Sequence, residues 1–153
     1  MIDPTERDIT RFWSKVDKTG DCWLWTAATT PSGYGNFTQR SKYVAAHRFA
    51  YTITFGAIPE GLFIDHLCHT KACVKPDHLR TATRVQNGQN RNGAAANCRS
   101  GVRGVFWHKA NGRWSTHVGH NGKSHYAGSY DNIADAEAAV IALRNKLFTH
   151  NQD

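Results

Sequence analysis

A chain of 153 residues with a formal net charge of +7 and an isoelectric point near 9.5 suits one ordinary domain or two small ones, and small domains bury too little apolar surface to be stable without a structural metal or a partner. The basic balance points to a polyanionic partner. No apolar run is long enough to cross a bilayer and Met1 to Arg11 is polar and acidic, so neither membrane insertion nor secretion is implied.

The distribution of charge says more than its total. Between Cys22 and Tyr130 the only carboxylates are Glu60, Asp65 and Asp77. His78 to Tyr130 contains none, while Arg80, Arg84, Arg91, Arg99, Arg103, Lys109, Arg113 and Lys123 recur along it. Such a stretch neutralises phosphates and releases their counterions; a solvated basic surface is the plainer alternative.

In chain order, Asp3-Pro4-Thr5-Glu6 reads as an N-cap, a proline at the first helical position and an acid at the third. Ile9, Phe12, Trp13 and Val16 then follow at helical spacing, and the helix is expected to end near Gly20. Cys22 to Thr26 and Gly33 to Thr38 read as short strands around a Thr-Pro-Ser-Gly turn. Tyr43 to Phe55 is apolar on most sides and reads as a buried helix, broken by Gly56 and Pro59-Glu60-Gly61. Leu62 to His66 is a strand running into a cysteine-rich loop, and Thr83 to Arg91 a second helix. Gly88 to Ser100 has almost nothing to bury and reads as linker. Beyond it come three strands, Val102 to Lys109, Arg113 to His120 and Lys123 to Tyr130, joined by Ala110-Asn111-Gly112 and Asn121-Gly122. Asn132 caps a last helix whose stripe of Ala136, Val140, Leu143 and Leu147 would cover one face of the sheet. The class is therefore α+β. The expected organisation is a metal-stapled module over 1–92, a linker over 93–100 and a small antiparallel sheet on one helix over 101–150.

The chemistry concentrates in Asp65-His66-Leu67-Cys68 through Cys73 to Pro76-Asp77-His78-Leu79. Two disulfides among Cys22, Cys68, Cys73 and Cys98 would need an oxidising compartment that nothing else in the chain supports. Metal ligation is the better reading: Cys68, Cys73 and His78, at intervals of five residues, can converge on one zinc ion, which takes four N or S ligands in a tetrahedron. Cys22 is the natural fourth. An alternative set replaces Cys22 by His66. Cys98 falls in the linker, and His69, adjacent to Cys68, would point away from the same ion.

Together with Asn87 and Asn90-Arg91, these motifs resemble the HNH homing endonucleases, of the His-Me finger type, and their His-Cys-box relatives over about Cys22 to Arg91. The resemblance implies a ββα-metal nuclease fold that hydrolyses phosphodiesters in double-stranded DNA. By position it makes His66 the general base, Asn87 the metal-binding residue of the helix and Asp65 a second ligand, with structural Zn2+ at Cys22, Cys68, Cys73 and His78. The residue types agree with that chemistry. A neutral imidazole can take the proton of water, and oxygen donors from Asp65 and Asn87 suit catalytic Mg2+, with Mn2+ as a substitute. His47-Arg48 sits where such proteins carry His-Arg; Arg48 is a candidate phosphate contact, as is Arg91, although a structural role for the pair is at least as plausible. The terminal histidine of the family pattern is replaced here by an asparagine-rich helix.

Ser100-Gly101-Val102-Arg103-Gly104-Val105-Phe106-Trp107, Gly112-Arg113-Trp114, Gly122-Lys123 and Ala127-Gly128 resemble the APETALA/ethylene-response-factor type of DNA-binding domain, which is also found appended to phage HNH nucleases. That resemblance implies a sheet laid in the major groove, where base edges are read. Strand alternation selects Arg103, His108, Arg113, His117, Lys123 and Tyr126 as DNA contacts and turns Trp114, Thr116 and Val118 to the helix. The combined expectation is a homing or phage-type endonuclease in the cytoplasm of a bacterial or phage-infected cell, as a monomer that nicks or a homodimer that breaks both strands. The alternatives are a non-catalytic DNA-binding regulator with a zinc staple and an RNA-binding module.

Overall fold

The computed structural model describes residues 3–91 and 93–151, so the outer limits 1 and 92 expected for the first module lie outside the described residues. Among the described residues, small antiparallel sheets, four α-helices and a short 3-10 turn at Pro76–His78 make a mixed α+β fold. Chain contacts divide it into two units, one up to Asn87 and one from Gly88.

The first unit opens with α1 (Glu6–Trp13). Its cap lies two residues beyond the expected Asp3. The Thr5 hydroxyl accepts from the Asp8 amide at 3.2 Å while the Asp8 carboxylate accepts from the Thr5 amide at 3.2 Å, a reciprocal box that satisfies two donors together. The helix stops at Trp13, well before Gly20. Val16 instead pairs with Trp25, joining β1 (Val16–Asp17) to β2 (Leu24–Trp25), so tertiary pairing overrides a continuing helical pattern. A second difference follows in β3 (Asn36–Gln39) and β4 (Lys42–Ala45). The segment expected to be helical from Tyr43 begins as a strand, and α2 covers Ala46–Phe55. Arg40 and Ser41 hold φ of 44° and 65° in the two-residue connection. That is the positive-φ geometry of a tight hairpin, which the usual Asn-Gly signature would have announced.

The core of this unit is aromatic. Phe12, Phe37 and Phe49 are fully buried, and Trp25 stacks on Phe12 with ring centroids 5.1 Å apart. Ile64, Val74 and Leu79 from the cysteine-rich segment close the same cluster, which anchors that segment to the rest of the unit. β5 (Phe63–His66) pairs with β6 (Leu79–Ala82), and α3 (Arg84–Gln89) follows. The strand β6 is absent from the sequence reading because Leu79-Arg80-Thr81-Ala82 lacks alternation; its two middle residues are half-buried and its ends buried.

In the second unit β7 (Val105–His108), β8 (Arg113–His120) and β9 (Lys123–Tyr130) form one antiparallel sheet in the order β7-β8-β9. Against it packs α4 (Ile133–Leu147), capped by the Asn132 side chain. Val105, Val118, Ala136 and Val140 are its buried core, with Trp114, Leu143 and Leu147 packed around them. The stretch 93–100 read as linker belongs to this unit. Ser100 donates to the carbonyls of Val102 and Val105 at 3.0 and 2.7 Å. Gly104 sits at φ +84°, where an added Cβ would lie 2.6 Å from the His117 carbonyl oxygen. Gly104→Ala is accordingly expected to cost at least about 1–3 kcal/mol, read as a lowered denaturation midpoint; an unchanged midpoint would show that the backbone relaxes freely there. No helix among the described residues is long and apolar enough to cross a membrane.

Candidate active site and metal centre

Four sulfur and nitrogen donors converge because two stretches of chain are laced together. Trp25 donates its amide to the Ala72 carbonyl at 2.9 Å, Val74 donates to the Trp23 carbonyl at 2.8 Å, and Leu24 and Cys73 form a β-bridge. This brings Cys22 to the cysteine-rich loop. On the other side the β5–β6 ladder continues into Leu67, whose amide donates to the His78 carbonyl at 2.9 Å. The donor atoms of Cys22, Cys68, Cys73 and His78 then all lie within 4.8 Å of one another.

The geometry suits a tetrahedral ion. Metal bonds of about 2.3 Å to sulfur and about 2.0–2.1 Å to nitrogen, at the tetrahedral angle, set sulfur and nitrogen about 3.6 Å apart. His78 Nδ1 is 3.6 Å from both the Cys22 and Cys73 sulfurs. Burial, against a backbone hydrogen bond from Lys75 and helped by the neighbouring Cys68 and Cys22 sulfurs, pushes the Cys73 thiol up to about 12. A cation bound there takes the place of the thiol protons. The cluster takes Cys22 as its fourth member and not His66. Cys98 lies apart, with its thiol donating to the Val102 carbonyl at 3.4 Å.

His66 ends β5 on the opposite face of the strand from Asp65, as strand alternation requires. It is buried, and its Nε2 lies 3.0 Å from the Cys73 carbonyl oxygen. A carbonyl only accepts, so Nε2 carries the proton and Nδ1 is the proton-accepting nitrogen of the neutral ring. Burial lowers the basicity of His66, with a smaller push the same way from His69. The Cys73 carbonyl and the Asp65 charge act against this. The ring is flanked by His47, with centroids 4.9 Å apart, and by Tyr34 at 6.0 Å. His47 is 9% exposed, its Nδ1 has no hydrogen-bond partner among the described residues, and burial, then the nearby His66 and Arg48 charges, push it down to about 3. It is therefore a neighbour of His66 that is neutral near pH 7. Sequence reasoning weighed it as structural; its packing beside His66 is visible only in three dimensions.

Asp65 is already engaged. Its cross-strand neighbour Arg80 places Nε and a terminal nitrogen each 3.0 Å from the same carboxylate oxygen. Asn87 lies exposed on α3. The oxygen set for a hard cation is thus less complete than the sulfur-nitrogen cluster, since a cation at Asp65 shares the carboxylate with Arg80. Arg48 lies on α2, half-buried.

In the second unit, Trp114, Thr116 and Val118 face α4. His108 pairs with Arg113 and His117 with Tyr126 on the open face, where the His117 and Tyr126 rings are 5.2 Å apart. Arg113 also pairs with Asp131 at 2.9 Å. Two expected contacts are placed differently. Lys123 pairs with His120, whose ring lies by Phe148 on the helix side. Arg103 spends its guanidinium on the carbonyls of Gly88, Gln89 and Arg91 at 3.0–3.2 Å, which makes it a tie between segments of this unit. Arg91 itself is exposed.

Residues 44–89, which include His47, Asp65, His66 and Asn87, match the HNH endonuclease family model. Protein 3.8 of Escherichia phage T7 is 30% identical over 112 residues, covering 73% of this chain and 91% of the relative. The chain belongs to the family of Protein 3.8. Protein 7.7 of the same phage is 33% identical over 70 residues, 46% of this chain. The chain spans about half of that relative's length, 54%. No solved structure matches it. The HNH match ends before the second unit begins to form its sheet, so the APETALA-type resemblance of that unit is not supported by the comparisons.

Proposed function

We propose that this protein is a metal-dependent DNA endonuclease of the homing or phage type, acting in the cytoplasm of an infected bacterial cell. The observation that carries the reading is His66, buried within the HNH-matching segment with its Nε2 proton committed to the Cys73 carbonyl. That hydrogen bond orients the ring, with Nδ1 as the nitrogen that takes the proton of an attacking water. Cys22, Cys68, Cys73 and His78 would hold a zinc ion in a structural role, keeping Cys73, and through it His66, in place. Asn87 and the Asp65 carboxylate are the oxygen donors for Mg2+ or Mn2+, which when bound would steady the scissile phosphate and the leaving oxygen. Arg80 orients Asp65. His47, neutral and packed against His66, keeps that ring in a dry environment without adding charge.

The second unit is the reader of double-stranded DNA, in the manner of an APETALA-type sheet. His108, Arg113, His117 and Tyr126 on the open face are its contacts, and Arg48 and Arg91 are phosphate contacts outside the sheet. Its lack of any carboxylate before Asp131 supports this role. The direct test is to incubate the purified protein with supercoiled plasmid. Mg2+ or Mn2+ is expected to give nicked or linear product, and removal of the divalent ion is expected to stop it. If duplex DNA is bound but never cut with any divalent ion, the protein is a DNA-binding regulator whose metal cluster only staples the fold.

A further inference from the structure

Along β7 at the edge of the second unit's sheet lies a cavity of about 630 Å³, within the roughly 300–1,000 Å³ of small-ligand sites. We infer that this cavity binds an unstacked nucleotide of a single DNA strand, with Trp107 taking the base at a rim that includes Phe106, and Arg91, Arg99 and Lys109 taking the flanking phosphates. The inference rests on the nucleic-acid reading of this unit but not on the nuclease chemistry of the other.

Three observations lead to it. Phe106 and Trp107 are 56% and 49% exposed, although large aromatics at a strand edge gain nothing from water. Trp107 is held edge-to-face against Trp114 at 5.0 Å, so its outer face is ordered before any ligand arrives. The residues lining the cavity include Arg91, Arg99 and Lys109, all exposed, and no carboxylate. Finally, its wall is built. Ser100 ties the 100–105 turn through the Val102 and Val105 carbonyls, and Arg103 ties the end of α3 and Arg91 through three more.

Aromatic faces with surrounding cations are what unpaired bases and their phosphates recognise. A paired base inside a duplex has both faces covered by its neighbours and cannot reach such a site. The open face of the sheet and this edge cavity therefore take different forms of DNA, the first a duplex and the second a strand that has left it.

The test is fluorescence anisotropy of a labelled oligodeoxythymidylate titrated with the full chain, without divalent ions, against a blunt hairpin duplex and an oligouridylate. Trp107→Ala is expected to weaken the single DNA strand roughly 5- to 140-fold, the span expected from one lost stacking contact, and to leave the duplex unchanged. Trp107→Phe should restore most of the affinity, which a misfolded unit would not allow. Arg99→Ala and Lys109→Ala should each flatten the salt dependence by about 0.7 in the log–log slope, one phosphate's worth on a single strand. Equal losses for strand and duplex, no loss in either, or tighter binding of oligouridylate than of DNA would overturn the proposal. Because the assay needs neither His66 nor a divalent cation, these results stand whether or not plasmid is cut.

Discussion

His66→Ala is expected to slow plasmid cleavage by roughly 10²–10⁴-fold, the usual contribution of a positioned general base, while leaving zinc content unchanged because His66 is outside the Cys22, Cys68, Cys73 and His78 cluster. Since the ring is buried between Tyr34 and His47, the alanine variant also opens a hole, so His66→Gln belongs beside it. Glutamine keeps most of the volume and can still donate to the Cys73 carbonyl, but it cannot accept a proton at neutral pH. Equal losses in the two variants, with circular dichroism matching the wild type, identify the imidazole's basicity as the missing property. Cleavage within a few-fold of wild type in His66→Gln would move the base elsewhere in the unit. His47 is a poor substitute, since burial pushes it down to about 3 and so makes it a very weak acceptor.

A second large effect is expected at the metal cluster. Cys73→Ser, or exhaustive chelation, should remove about one zinc per chain and unfold the first unit while the second stays folded. The free energy of structural zinc binding, of order 10–16 kcal/mol in small zinc-dependent peptides, is comparable to or larger than the whole stability of an ordinary domain, about 5–15 kcal/mol. Cys73 is moreover buried at the point where β2 meets the metal loop. Its loss frees the clamp that lets Ile64, Val74 and Leu79 close the aromatic core. The second unit contains none of the ligands; β8, β9 and α4 pack on one another. Hydrogen exchange read by mass spectrometry should therefore show protection lost over β5, β6 and α2 and kept over β8 and β9, with added Zn2+ restoring the chelated protein. Cys98→Ser should change neither zinc content nor protection. A metal-free protein with wild-type protection in the first unit would show the cluster to be dispensable for folding.

The two halves of the chain differed in how far their folds could be read in advance. In the second unit the Asn-Gly turns sit where positive φ is required, and the predicted limits of β8, β9 and the α4 cap coincide with the structure. Most of that order is local: hairpins and an amphipathic helix announce themselves within windows of about ten residues. In the first unit, helix signals at Tyr43 and beyond Trp13 gave way to strands because Val44 pairs with Phe37 and Val16 with Trp25. The Val44–Phe37 pairing closes on the turn Arg40-Ser41, which carries no glycine.

Residue types and spacing were enough to nominate Cys68, Cys73 and His78 as donors of the metal cluster, since sulfur and imidazole at intervals of five residues have few other uses in a basic chain without an oxidising context. The resemblance to HNH endonucleases singled out His66, Asp65 and Asn87, and their residue types agree with that chemistry. Only the tertiary structure decided between Cys22 and His66 as the fourth donor, because that choice depends on β2 lying beside the loop. It also decided that Asp65 is shared with Arg80, that His47 packs on His66, and that Arg103 is spent on backbone carbonyls. Each of these is a matter of which face of a strand meets which neighbour. A sequence encodes the alternation of faces, but the partner across the gap is set by long-range packing.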